Sequence, residues 1–115
     1  MTSPTIDRAT FAELEQTAGA EFAGELVDTF LAEAPIMLAE LRRAFDAGDA
    51  DAFRRTAHSL KSNGNTFGAC AFAAMARELE LGGLAPMQAA AGSPLDALDA
   101  EYARVASALT ELARA

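Results

Sequence analysis

Apolar residues recur in steps of three and four along most of this 115-residue chain, and glycine or proline stands where the pattern breaks. That spacing belongs to one buried stripe on an α-helix, so the chain can fold only as a set of packed helices. Phe11, Leu14 and Ala18 mark a short first helix, with Asp7 as its cap, Ile6 and Phe11 as a hydrophobic staple and Gly19 as terminator. Phe22, Leu26, Phe30, Ala34, Leu38, Leu41 and Phe45 continue the period from Ala20 to Ala47, across Pro35, which predicts a kinked but continuous helix. Its acids Glu21, Glu25, Asp28, Glu33 and Glu40 form the wet side. Gly48 and Asp49 turn the chain into a third helix, capped by Asp49 or Asp51.

The third helix carries Phe53, Ala57, Leu60, Gly64 and Phe67 on its stripe and ends at Gly68. Gly64 costs about 1 kcal/mol against alanine inside a helix, so its place on the stripe implies close approach by a neighbour. Ala69 to Leu81 follows with Phe72, Met75, Ala76 and Leu79 inward, and the lone Cys70 takes core-like spacing as a buried, inert thiol. Gly82, Gly83 and Pro86 break the pattern, and residues 85 to 92 form a loop or loose turn. Ser93 as cap and Pro94 at the first helical position open the last helix, where Leu95, Leu98, Tyr102, Val105, Leu109 and Leu112 face inward. Tyr102 belongs at the core edge with its hydroxyl at water. Four substantial helices with short connections pack as an up-down-up-down antiparallel four-helix bundle, all-α, with the short extra helix at the N-terminus. Residues 1 to 115 make one domain, and its layout together with Met1 favours a protein that stands alone.

Composition excludes several functions. A net charge of −8 repels nucleic-acid phosphates. One cysteine cannot form an internal disulfide, which suits a reducing compartment. No apolar run approaches the ~18 residues of a membrane span, and the N-terminus lacks a signal-peptide layout, so the protein is expected in the cytoplasm. One His and one Cys on different helices cannot form a metal site, and Glu-x-x-His pairs are missing, so no metal or cofactor is expected. No nucleotide-binding glycine motif is present, and Ser59 and Ser62 have no oxyanion site beside them, so neither kinase nor hydrolase chemistry is supported.

His58, the only histidine, lies roughly 140° from the centre of the third helix's buried stripe and faces water. Arg54, Arg55 and Lys61 stand one turn away, three of the nine basic residues of an acidic protein. Spacing alone leaves two readings open: a solvated face with a chance histidine, or anionic chemistry at an exposed imidazole. A neutral ring nitrogen is a competent nucleophile near neutral pH, and neighbouring cations can compensate a phosphoryl group.

The run from Ala57 to Ala69, A-H-S-L-K-S-N-G-N-T-F-G-A, resembles the signature of histidine-containing phosphotransfer domains, roughly A-H-x-L-K-G-x-x-x-x-x-G. Ala57, His58, Leu60, Lys61 and Gly68 stand at matching places, and Ser62 replaces a common glycine with another small residue. The resemblance implies a phosphocarrier without kinase activity of its own. His58 would take a phosphoryl group from a receiver domain or a hybrid histidine kinase and pass it to the receiver domain of a response regulator. Lys61 would be the phosphate partner, and Ser62 would leave room for the incoming aspartyl phosphate; by their placement alone Arg54 and Arg55 are weaker phosphate candidates, at least one of them an ordinary surface cation. Some members use a glutamine on the next helix near the histidine; the corresponding residue here is Glu80, an acid. Neither membrane nor nucleic acid is expected as a partner, and the protein is expected to be a monomer. The competing expectation is a helical adaptor that binds a receiver or kinase domain and carries no phosphate.

Overall fold

Capping residues and glycines mark where the helices end. The computed structural model describes residues 5–89 and 93–114, and their regular structure is helical throughout. The elements are α1 (Arg8–Ala18), α2 (Ala20–Ala47), α3 (Ala50–Thr66), α4 (Cys70–Gly82), the short α5 (Leu84–Ala89) and α6 (Ser93–Arg114). Asp49 caps α3, its carboxylate accepting from the Ala52 N–H at 3.1 Å. Asp7 occupies the cap place of α1 in an extended conformation, but its carboxylate accepts from the Thr10 hydroxyl at 2.6 Å instead of a backbone N–H. Ile6 and Phe11 are both buried, as a staple requires.

The contact pairs give the topology. On α3 and α4, Gly64 lies against Phe72 and Ala73 while His58 meets Glu80, so one helix runs down as the other runs up. On α2 and α3, Met37 meets Asn63 while the Ala44 carbonyl accepts from the Asp49 N–H. On α2 and α6, Arg42 bonds Asp96 and Asp99, whereas Leu31 is reached by the Tyr102 hydroxyl. Each of the four long helices touches its two neighbours, with α2 and α6 closing the ring. This is the antiparallel four-helix bundle. The core carries Val27, Phe30, Leu41, Phe53, Leu60, Phe72, Leu98, Val105 and Leu109. Phe30 gathers its upper part, 5.2 Å from the Phe67 ring, 6.3 Å from Phe72 and 5.9 Å from Tyr102, which ties three long helices and the α3–α4 turn together.

Several expectations are corrected. The buried face of α2 is Ala23, Val27, Phe30, Ala34, Leu41 and Ala44; Phe22 is 50% exposed, and Leu26, Leu38 and Phe45 are only half-buried. A string of i+4 steps winds roughly 40° per step around the helix, so the chosen residues drift off the face that alternating steps keep. Cys70 is exposed, not buried. It opens α4 roughly 130° from the face of Phe72, Ala73, Ala76 and Leu79, and Met75 falls at that face's edge. Gly68, with φ +79° just past the α3 cap at Phe67, ends that helix as expected, whereas Ser93 is the first residue of α6 and not its cap. Of the stretch read as a loop or loose turn, residues 85 to 89 lie in α5, and residues 90 to 92 fall outside the described residues. Tyr102 lies half-buried at the core edge, as expected, and its hydroxyl donates to the Leu31 carbonyl at 3.4 Å. Pro35 lies inside an unbroken α2, as expected.

Two glycines permit close approaches. At Gly68, φ is +79°, and an added Cβ would lie 2.8 Å from the Asp7 carbonyl, so the turn can clasp the start of α1; the Asp7 N–H donates to the Gly68 carbonyl at 2.8 Å. At Gly64, a Cβ would stand 2.9 Å from the Phe72 ring and 3.3 Å from Ala73 Cβ. Gly64→Val should therefore force α3 from α4 and destabilise the fold by about 1–3 kcal/mol. Chemical denaturation measures that loss, and the distance between His58 and Glu80 should grow with it.

Candidate phosphotransfer site

Most of the residues near His58 come from α3 itself, and Glu80 comes across from α4. The His58 side chain is 55% exposed, and its Nδ1 lies 2.8 Å from Glu80 Oε2. Glu80 is 15% exposed, held between the two helices. Its other oxygen, Oε1, lies 3.0 Å from Lys61 Nζ. That contact is an ion pair without a well-directed hydrogen bond, and Oε1 is otherwise buried without a donor. One carboxylate thus bridges the histidine and the lysine that sit one turn apart on α3.

The bridge has two chemical consequences. An ionised carboxylate can only accept, so the ring nitrogen facing it carries the proton. In the neutral ring His58 is therefore the Nδ1–H tautomer, which puts the lone pair on Nε2, the nitrogen not engaged by Glu80. Glu80 itself is held below the ordinary carboxylate range, first by the Lys61 ammonium and then by His58, against partial burial that opposes the shift.

The remaining cations lie N-terminal to the ring. Arg54 and Arg55 each contact Asp51, at 3.0 Å from Oδ1 and 3.0 Å from Oδ2. Arg54, Arg55, His58, Ser59 and Glu80 line one shallow hollow. Arg55 and Ser59 also border a groove between α2 and α3 lined by Met37, Arg43, Ala44 and Ala52. Ser62 is exposed one turn beyond His58, and its carbonyl accepts from the Thr66 hydroxyl at 3.1 Å. His58, Lys61, Arg54 and Ser62 thus all surround one patch, although Lys61 is turned to Glu80 and Arg54 to Asp51. Sequence reading placed Glu80 near the histidine only through a family resemblance. Asp51 was read only as a cap, although its spacing to Arg54 and Arg55 is that of helical ion pairs.

The four-helix bundle thus presents an exposed imidazole held by a carboxylate, with a lysine and two arginines on the neighbouring turns of its helix. A family model described as the Hpt domain matches residues 25–113. Among solved structures, histidine-containing phosphotransfer protein B (HptB) from Pseudomonas aeruginosa PAO1 aligns with a TM-score of 0.88 and 28% identity, covering 98% of this chain and 97% of that one. A search of curated proteins finds no significant match. The chain belongs to the Hpt domain family, and its function is histidine phosphotransfer in a phosphorelay. Hpt proteins act as phosphocarriers and interact with receiver domains. No helix among the described residues is long and apolar enough to cross a membrane.

Nitrogen NMR of the wild type should show His58 protonated at Nδ1 and bare at Nε2 at mildly alkaline pH, and Glu80→Ala should bring in the other tautomer. Glu80 is depressed in the folded state, so its contribution to stability is present above its unfolded pKa and is lost as pH falls through the folded one. Acid unfolding should therefore be less steep in Glu80→Ala than in the wild type.

Proposed function

We propose that His58 is the phosphoacceptor, and that residues 1–115 act as one cytoplasmic, monomeric carrier between receiver domains of hybrid histidine kinases and response regulators. The observation that carries this reading is the exposed ring whose Nδ1 is engaged by Glu80, leaving Nε2 as nucleophile. The Nε2 lone pair forms the N–P bond while the P–O bond to the receiver's aspartate breaks, and that electron pair leaves with the aspartate carboxylate. The Nδ1 proton stays in place, so no external base is needed. The ring of the product carries positive charge beside the Glu80 carboxylate, which stabilises it. Attack by a second receiver's aspartate reverses the same bonds, which suits a carrier.

Lys61 offsets the charge of Glu80 and lies close enough to compensate the phosphoryl group during transfer. Arg54 shares the hollow with the ring. Ser62, small and exposed beside His58, leaves access for the receiver's active site. The chain has no nucleotide-binding motif, in keeping with a carrier that depends on a kinase elsewhere. The adaptor alternative has no support from the site, since binding alone requires neither the oriented ring nor its bridge.

Incubation with an aspartyl-phosphorylated receiver domain should move acid-labile phosphate onto the protein, and His58→Gln should abolish it. Full labelling of that variant would refute the assignment. Lys61→Ala should slow transfer by about 1.4- to fivefold, the equivalent of a charge contact of about 0.2–1 kcal/mol.

A further inference from the structure

The Asp51 carboxylate holds two cations beside the proposed acceptor, and the reading above leaves that arrangement unused. Its Oδ1 meets Arg54 Nη2 and its Oδ2 meets Arg55 Nε, both at 3.0 Å. The three residues lie on the exposed face of α3, N-terminal to His58. At about 100° per residue, Asp51 lies within roughly 20° of the meridian of His58, while Arg54 and Arg55 fall roughly 40° to one side and 60° to the other. The arginines straddle the line of the ring.

Helical side chains lean toward the N-terminus, so an imidazole at His58 covers the turn that carries Arg54 and Arg55. The hollow that those two arginines share with His58, Ser59 and Glu80 agrees with that lean. Lys61 lies on the C-terminal side of the ring, with its ammonium on Glu80. The ring therefore borders a hollow that both arginines line and Lys61 does not.

We propose that Arg54 and Arg55 receive the phosphoryl group on His58 Nε2, and that Asp51 presets them in the unphosphorylated protein and releases them to it. The inference rests on His58 as acceptor and adds the residues that hold the phosphoryl oxygens. Exposed arginine–carboxylate pairs are weak, so a better anion displaces the carboxylate readily. A phosphoryl group is that better anion, with close to two charges and three acceptor oxygens against one charge and two oxygens. Guanidinium forks match its geometry, and two of them can grip separate oxygens. When phosphate moves on, Asp51 takes the arginines back, which limits capture of stray anions by the free carrier. No bond to phosphorus is made or broken by these residues.

The test follows phosphate from an aspartyl-phosphorylated receiver domain onto wild type, His58→Gln, the double variant Arg54→Gln with Arg55→Gln, the corresponding double Lys variant, and Asp51→Asn. The double Gln variant should accept phosphate about tenfold more slowly at low salt with its melting temperature unchanged. The double Lys variant should recover part of the rate, since it restores charge without the fork. Asp51→Asn should be at least as fast as the wild type. Nitrogen NMR should show the Arg54 and Arg55 guanidinium signals shifting when His58 is phosphorylated in the wild type. If His58→Gln takes no label while the double Gln variant keeps the wild-type rate and the arginine signals stay still, the inference is overturned and the acceptor assignment stands. Slow transfer by Asp51→Asn would overturn the releasing role of Asp51. Labelling of His58→Gln would instead remove the acceptor assignment beneath both.

Discussion

The close packing of α3 on α4 at Gly64 decides where everything else at the site falls. Without a side chain at that point, Phe72 and Ala73 come against the α3 backbone. Antiparallel register then carries Glu80, two turns further along α4, to His58 and Lys61, two turns and one turn back along α3. A carboxylate 2.8 Å from a ring nitrogen is sensitive to fractions of an ångström, because hydrogen-bond strength falls steeply with distance and angle. The buried contact at one end of the helix pair is therefore what orients the exposed imidazole at the other.

The site also resolves a problem of charge. A protein with net charge −8 must attract a phosphorylated partner to one spot on its surface. Its basic residues on α3 are gathered at His58, yet each is answered by an acid: Lys61 by Glu80, and Arg54 and Arg55 by Asp51. Such pairing keeps the side chains in place without an uncompensated field. Because the arginine pairs are exposed, water screens them, and they remain exchangeable. The Glu80 pair is more covered and more persistent. One carboxylate builds the ring's geometry, and the other can let go.

Much of the architecture was legible in the residues themselves. Period, caps and breakers placed the four long helices and the short leading one, because each signal acts within a few residues along the chain. The errors share a cause. Phe22 reads as inward from a string of i+4 steps and Cys70 from core-like spacing, and both face solvent. Which side of a long helix is covered depends on where its neighbours lie, and a single helix does not state that. The α5 turn was ambiguous because glycine and proline break a pattern without saying what replaces it.

At the site, the sequence by itself determined that His58 faces water and that Arg54, Arg55 and Lys61 surround it, since all four lie on one helix whose geometry is known in advance. Asp51 could have been joined to the arginines by the same rule. Only the tertiary structure decided that Glu80 bridges the histidine and lysine, which ring nitrogen is left bare, and that Lys61 is engaged while the arginines share the hollow with the ring. The reason is that these depend on the register between two helices 22 residues apart in the chain at their point of contact. Local periodicity carries no information about register; the packing of Phe72 and Ala73 into the space beside Gly64 does.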